Sequence, residues 1–219
     1  MKIKSIFTTL VYSLSFCSSN FTQALDLPPN EEYLSNRLLK IDRRYSSFLL
    51  VLDLLKHRQA KVLVETGTAR DGDKNFSGDG GSTIIFGDWA SQNNALLFTV
   101  DISSQAIENA RISTIKFTDS IIFCCSDSIS FLKDFNQSID FLYLDSFDYD
   151  FNNPLPSQQH HLYEIMAAYP KLHADSIVMV DDCDLPHGGK GKFIIEFLLE
   201  KGWTIIYEGY QTILVKNIL

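Results

Sequence analysis

The sequence predicts an α/β protein: one mostly parallel sheet of seven strands, helices on both of its faces, and an antiparallel hairpin at the C-terminus. Three observations carry that expectation. From residue 61 onward, short apolar runs rich in Val, Ile and Phe alternate with helix-periodic segments. Four of the runs finish in carboxylates. The last two runs are separated only by Gly209-Tyr210-Gln211, which is enough chain for a hairpin and too little for a parallel crossover.

Composition sets the frame. The chain has 219 residues, 45% hydrophobic and 21% charged, which suits one domain with a sizeable core. Nineteen Lys+Arg against 27 Asp+Glu give a net charge of -8. That balance excludes a sequence-independent grip on nucleic acid, which needs clustered positive charge. It leaves a small polar substrate or a protein partner open. No stretch reaches the roughly 18 uninterrupted apolar residues of a stable membrane span. Of the cysteines, Cys17, Cys124, Cys125 and Cys183, the adjacent pair is neither a CxxC redox motif nor a zinc knuckle. It reads as buried small hydrophobes.

The elements follow in order. Residues 1–24 have two readings: a secretory signal peptide or a disordered arm. Lys2 and Lys4, the apolar run 6–17 and Thr22-Gln23-Ala24 outline a signal, while Thr8, Thr9, Ser13 and Ser15 dilute its middle. Residues 25–60 are an N-terminal helical segment. After Pro28-Pro29, the recurrence of Leu34, Leu38, Ile41, Tyr45, Phe48, Leu52 and Leu55 predicts one helix over 31–58. Such a helix would cap the pocket or pair with a second copy in a homodimer. Residues 61–219 form the α/β domain. Strands are predicted at 61–65, 95–101, 120–125, 139–145, 176–181, 203–208 and 212–216, and helices at 82–91, 103–114, 158–171 and 191–201.

Function is read from the carboxyl ends of the strands, where open α/β sheets bind ligands. Glu65, Asp101, Asp145 and the pair Asp181-Asp182 end four strands, and Ser126-Asp127 follows a fifth. Several like charges at one rim cost stability unless cations or donors offset them. The rim therefore predicts a ligand or metal site. Gly67, in Glu65-Thr66-Gly67-Thr68, permits a tight turn and close ligand approach. Ser82, in Gly80-Gly81-Ser82-Thr83, opens a helix whose N-terminus suits a carboxylate. Asp101 is placed to accept hydrogen bonds from a ribose. The glycines make neither a P-loop nor a clean GxGxxG.

Three further segments have two readings each. The polar insertion 70–79 is a flap over the site or a surface loop. His160-His161 supply a general base, with His161 the candidate, or half-exposed helix residues. The glycine- and lysine-rich stretch 185–192 gates substrate or contacts a phosphate or carboxylate, or it simply leads into the next helix.

In their order, these signals resemble the class I S-adenosylmethionine-dependent methyltransferases, whose sheet is Rossmann-like. The motifs are Glu-Thr-Gly-Thr with Gly-Gly-Ser-Thr, Thr-Val-Asp, Ser-Asp-Ser, Leu-Asp-Ser, Val-Asp-Asp and a terminal hairpin, spread over residues 62–216. The chain looks most similar to small-molecule O-methyltransferases with a catechol-methyltransferase-like metal site. The resemblance implies that Glu65 and Gly67 line the methionine part of S-adenosylmethionine, with Ser82 near its carboxylate. Asp101 would hold the ribose, and Asp127 and Ser128 would lie near the adenine. Asp145, Asp181 and Asp182 would bind Mg²⁺, although that branch commonly has Asp-Asn where this chain has Asp181-Asp182. A metal-bound hydroxyl would then be methylated at a site where Asp145 and His161 are the catalytic residues. The methyl donor is made in the cytosol, which favours a cytoplasmic protein. A working signal peptide would make it secreted or periplasmic. Two competing expectations are an NAD-dependent oxidoreductase, which shares the ribose-binding acid, and a non-catalytic secreted domain that keeps the fold.

Overall fold

The computed structural model describes residues 30–79 and 81–218; the expectation for residues 1–24 lies outside them. In chain order the elements are α1 (Glu31–Leu34), α2 (Tyr45–His57), β1 (Val62–Thr66), α3 (Phe76–Asp79), α4 (Ser82–Asn93), β2 (Leu96–Asp101), α5 (Ser104–Ser113), β3 (Ile121–Cys125), α6 (Ser128–Asp134), β4 (Ile139–Leu144), α7 (Leu155–Ala168), β5 (Leu172–Val180), α8 (Lys192–Glu200), β6 (Thr204–Tyr207) and β7 (Thr212–Val215). Among the described residues, no helix is long and apolar enough to cross a membrane.

One seven-stranded sheet has the order β3-β2-β1-β4-β5-β7-β6. Its first five strands are parallel, and β7 pairs antiparallel with both β5 and β6. The predicted architecture is thus the observed one. The chain order reverses between β1 and β4, and this is where a crevice opens at the carboxyl ends of the strands.

Each face of the sheet carries its own apolar layer. On one side α1, α2 and α4 pack around Phe48, Phe86, Phe141 and Tyr143. The Phe48 and Phe86 rings lie 5.4 Å apart, and Phe86 meets Phe141 edge-on at 4.9 Å. On the other side Leu132, Ile165, Ile194 and Leu198, from α6, α7 and α8, cover Val64, Leu142 and Val178. The N-terminal segment therefore shares the core of the α/β domain, with Leu34, Phe48, Val51, Leu52 and Leu55 buried in it.

The single helix expected over 31–58 is broken. Ser35 turns extended after α1, with φ -59° and ψ 130°, and Asn36 takes a left-handed φ of 62°. Ile41, counted in the apolar stripe, is 90% exposed. A tertiary requirement overrides the periodicity. Buried Arg44 binds Asp42 and also donates to the carbonyls of Phe76, Ser77 and Gly78 at 3.1, 2.8 and 3.1 Å, so the chain before α2 must turn to meet the insertion. The insertion itself is a surface loop tied down on both sides. It forms a 3-10 turn (Gly72–Lys74) and α3, and the Arg70 carbonyl accepts from Asn109 on α5 at 2.8 Å. The sequence pattern also missed α6. Seven residues are too few to show a period, but Asp127 caps it by accepting from the Ser130 N–H at 2.8 Å.

Candidate functional site

The reversal between β1 and β4 brings two loops together. The Gly67 N–H donates to the Val100 carbonyl at 2.8 Å, and the Asp145 N–H donates to the Thr66 carbonyl at 3.0 Å. Gly67 has φ +81°, and a Cβ there would collide with the Asp145 carbonyl oxygen. Only glycine fits this turn without displacing β4. Beside it lies a cavity of about 330 Å³, within the roughly 300–1,000 Å³ of small-molecule sites. Gly67, Asp101, Asp127, Ser128, Phe147 and His160 line it.

The backbone orients the two acids of that cavity. Asp101 accepts from the Ser103 N–H at 2.7 Å through Oδ1 and from the Thr68 N–H at 3.3 Å through Oδ2. Asp127 faces the cavity while it caps α6. His160 faces it from α7: its Nε2 is 3.1 Å from Ser128 Oγ and 3.4 Å from Glu164 Oε1. Burial disfavours the charged ring, but the Glu164 hydrogen bond and charge outweigh it, and the His160 pKa is raised. Ser146 also donates to Glu164 Oε1, at 2.7 Å.

His161 points elsewhere. It is fully buried, its Nδ1 lies 2.7 Å from the Ser157 carbonyl, and burial lowers its pKa to about 4. A neutral ring sealed in the core has no route to a substrate proton. Adjacent helix residues face about 100° apart, and nothing in His160-His161 says which one turns inward.

Glu65 and Ser82 do not line the cavity either. Glu65 is completely buried at the end of β1. Its Oε1 accepts from Ser82 Oγ, and its Oε2 accepts from Thr83 and Thr99 Oγ1 at 2.7 and 2.8 Å. The pair thus staples α4 to β1 and β2. Burial lifts the Glu65 pKa to about 7 against the pull of those three hydroxyls. The two threonines were not assigned a role in the sequence, where Thr83 stands beside Ser82 and Thr99 two residues before Asp101.

The third group of acids clusters as expected. Asp145, Asp181 and Asp182 each offer an oxygen, and the three atoms lie within 4.8 Å of one another. That spacing suits a divalent ion, but the donor set is already engaged. Lys190 Nζ donates to Asp145 Oδ1 and stands 3.1 Å from Asp182 Oδ2. Asp181 Oδ1 accepts from Gln211 Nε2 at 2.6 Å. Buried Gln211 is fixed in turn by Ser47 on α2 and by the Tyr143 hydroxyl. Burial raises the Asp181 pKa well above the carboxylate range, helped by the Asp145 charge. Asp145 is also raised by burial, with Lys190 opposing. With Lys190 in this position the residues do not fit Mg²⁺. The 185–192 stretch, read in sequence either as a contact to substrate or as a plain connection, places Lys190 against the protein's own carboxylates.

No protein-family model matches the chain, and no curated protein matches it. Solved structures do share its shape. The O-methyltransferase NovP aligns with a TM-score of 0.59 at 13% identity over 80% of each chain. The O-methyltransferase from Bacillus cereus, solved in complex with SAH, gives 0.54 at 13% identity, over 88% of this chain and 94% of its own. The N-methyltransferase NodS from Bradyrhizobium japonicum gives 0.51 at 14%, over 81% and 96%. At such identities the likeness speaks for architecture alone: the chain has a Rossmann-like methyltransferase fold.

Proposed function

We propose that this chain is an S-adenosylmethionine-dependent methyltransferase that acts on a hydroxyl group of a small molecule. One observation carries the reading: the cavity at the β1–β4 reversal, where Gly67 leaves room against the backbone and Asp101, Asp127 and Ser128 supply polar groups. The fold neighbours include O-methyltransferases, one of them bound to SAH. Another neighbour methylates nitrogen, so the choice of oxygen rests on the acids of the rim. The net charge of -8 favours a small acceptor over a nucleic acid.

S-adenosylmethionine supplies an electrophilic methyl group on sulfur. In this reading Gly67 lets its methionine portion lie against the backbone, Asp101 takes the ribose hydroxyls, and Asp127 and Ser128 border the adenine. The remaining task is to align an acceptor oxygen and remove its proton. In this reading Asp145 takes the proton: it follows β4, its backbone lies against Gly67, and about a quarter of its side chain is exposed. Its raised pKa makes it a better base than an ordinary aspartate. His161 has no part in this.

The test is calorimetric titration of the purified full chain with S-adenosylmethionine, S-adenosylhomocysteine and NAD(H). Micromolar binding of the first two, lost in Asp101→Ala, is the expected result. Binding of NAD(H) alone would make the chain an oxidoreductase candidate, and silence from all three would leave a fold retained without catalysis.

A further inference from the structure

We propose that Lys190 is the resident cation of this site: its ammonium group stands where a divalent ion would stand among Asp145, Asp181 and Asp182, and the loop 181–191 is folded to hold it there. The argument is geometric. Hard divalent cations take carboxylate oxygens at about 2.0–2.6 Å. The space between the three acids is that small, since their nearest oxygens lie within 4.8 Å of one another. Nζ touches Asp145 Oδ1 and is 3.1 Å from Asp182 Oδ2. An added ion would displace the ammonium or share two oxygens with a like charge.

The loop shows the same purpose. Lys190 is 2% exposed, and lysine is almost never buried so fully unless it is paired. Between β5 and α8 four residues adopt left-handed φ: Asp182 (54°), His187 (62°), Gly188 (86°) and Gly189 (53°). Two of them are not glycine, so their backbone is strained. A Cβ on Gly189 would overlap the Asp182 carbonyl oxygen, and the Lys190 N–H donates to that same oxygen at 3.2 Å. The loop thus folds back on Asp182 just before the lysine. Gln158, buried on α7, clamps it from below by donating to the His187 and Gly189 carbonyls at 3.0 Å each. The Tyr149 hydroxyl donates to Pro186. A connection that merely joined a strand to a helix would need neither the strain nor the clamp.

The inference stands on the acidic cluster and does not depend on methyl transfer. Where it is joined to that reading, it narrows the acceptor: a single hydroxyl beside Asp145 suffices, and no chelating diol is needed.

The experiment reads metal occupancy directly. Mn²⁺ is titrated into the full chain and the free ion is followed by electron paramagnetic resonance. Wild type should leave Mn²⁺ free. Lys190→Ala should bind it, and Asp145→Asn added to that variant should abolish the binding. Mn²⁺ taken up by wild type and lost in Asp145→Asn would overturn the proposal. So would a folded Lys190→Ala that leaves Mn²⁺ free. Should Lys190→Ala fail to fold, the comparison of wild type with Asp145→Asn decides alone. None of these readouts involves a methyl group, so failure here is separate from failure of the methyltransferase reading.

Discussion

Two sets of strand ends at one rim of the sheet bury carboxylates and solve the problem differently. At the end of β1, Glu65 is held by three neutral hydroxyls, from Ser82, Thr83 and Thr99. At the ends of β4 and β5, three aspartates are held by one ammonium group and an amide. Hydroxyls serve a carboxyl group in either protonation state, because a neutral carboxyl still accepts and can donate. An ion pair cannot lose one member without leaving the other unpaired in a poorly solvated place. The first arrangement is a staple between elements, and the second is a charge trap at the mouth of the site.

Removing Lys190 should break this contrast most sharply. Lys190→Met leaves the aspartates without their cation, and stripping one partner from a buried ion pair costs about 3–5 kcal/mol. Urea unfolding at neutral pH should show that loss, and Asp182→Asn added to Lys190→Met should recover part of it. A loss near zero would mean that solvent serves the cluster as well as the lysine does.

The next largest effect lies in pH. The Glu65 pKa is raised from 4.5 to about 7. Below 4.5 the group is protonated folded or unfolded and contributes nothing. As pH rises toward 7 only the unfolded chain ionises, so Glu65 lowers stability by about 3 kcal/mol across that window. His161 does the reverse: its pKa falls from 6.5 to about 4, so its contribution is present above 6.5 and lost as pH falls toward 4. The two nearly cancel in the wild type. Substitution separates them. The stability of Glu65→Gln relative to wild type should climb between about pH 4.5 and 7, and that of His161→Gln should climb as pH falls from about 6.5 to 4. Flat difference curves would show that neither group is as sealed as its burial indicates.

The contrast between these ends also marks how far the sequence could be read. Apolar runs such as 61–65 and 139–145 locate strands because a buried parallel strand needs that composition, and their acids fall at the carboxyl ends because a strand must finish in something polar. What each acid does depends on partners far away in the chain. Glu65 meets Ser82 and Thr99, and Asp145 meets Lys190, 45 residues on. Five acids that look alike in sequence therefore become a staple, a cavity lining and an ion cluster. The break at 35–44 was hidden for the same reason: the apolar period through Ile41 is real, but the demand of Arg44 on the 76–78 carbonyls is not written locally.

The smallest effect tests the hydroxyl arrangement itself. Thr99 Oγ1 has one proton and gives it to Glu65, so the neighbouring Thr68 hydroxyl, 3.0 Å away, must donate to Thr99 or to Thr83 instead. Thr99→Val keeps the shape of the side chain and removes one donor from Oε2, leaving Thr83 in place. Hydrogen bonds to charged groups contribute about 1.5–3 kcal/mol, against about 0.5–1.5 for neutral ones. The loss should therefore grow by about 1 kcal/mol between pH 5, where Glu65 is protonated, and pH 8, where it is ionised. A Thr99→Val loss that does not change with pH would mean that Glu65 keeps its proton throughout, and the staple would then be a neutral one at every pH the protein meets.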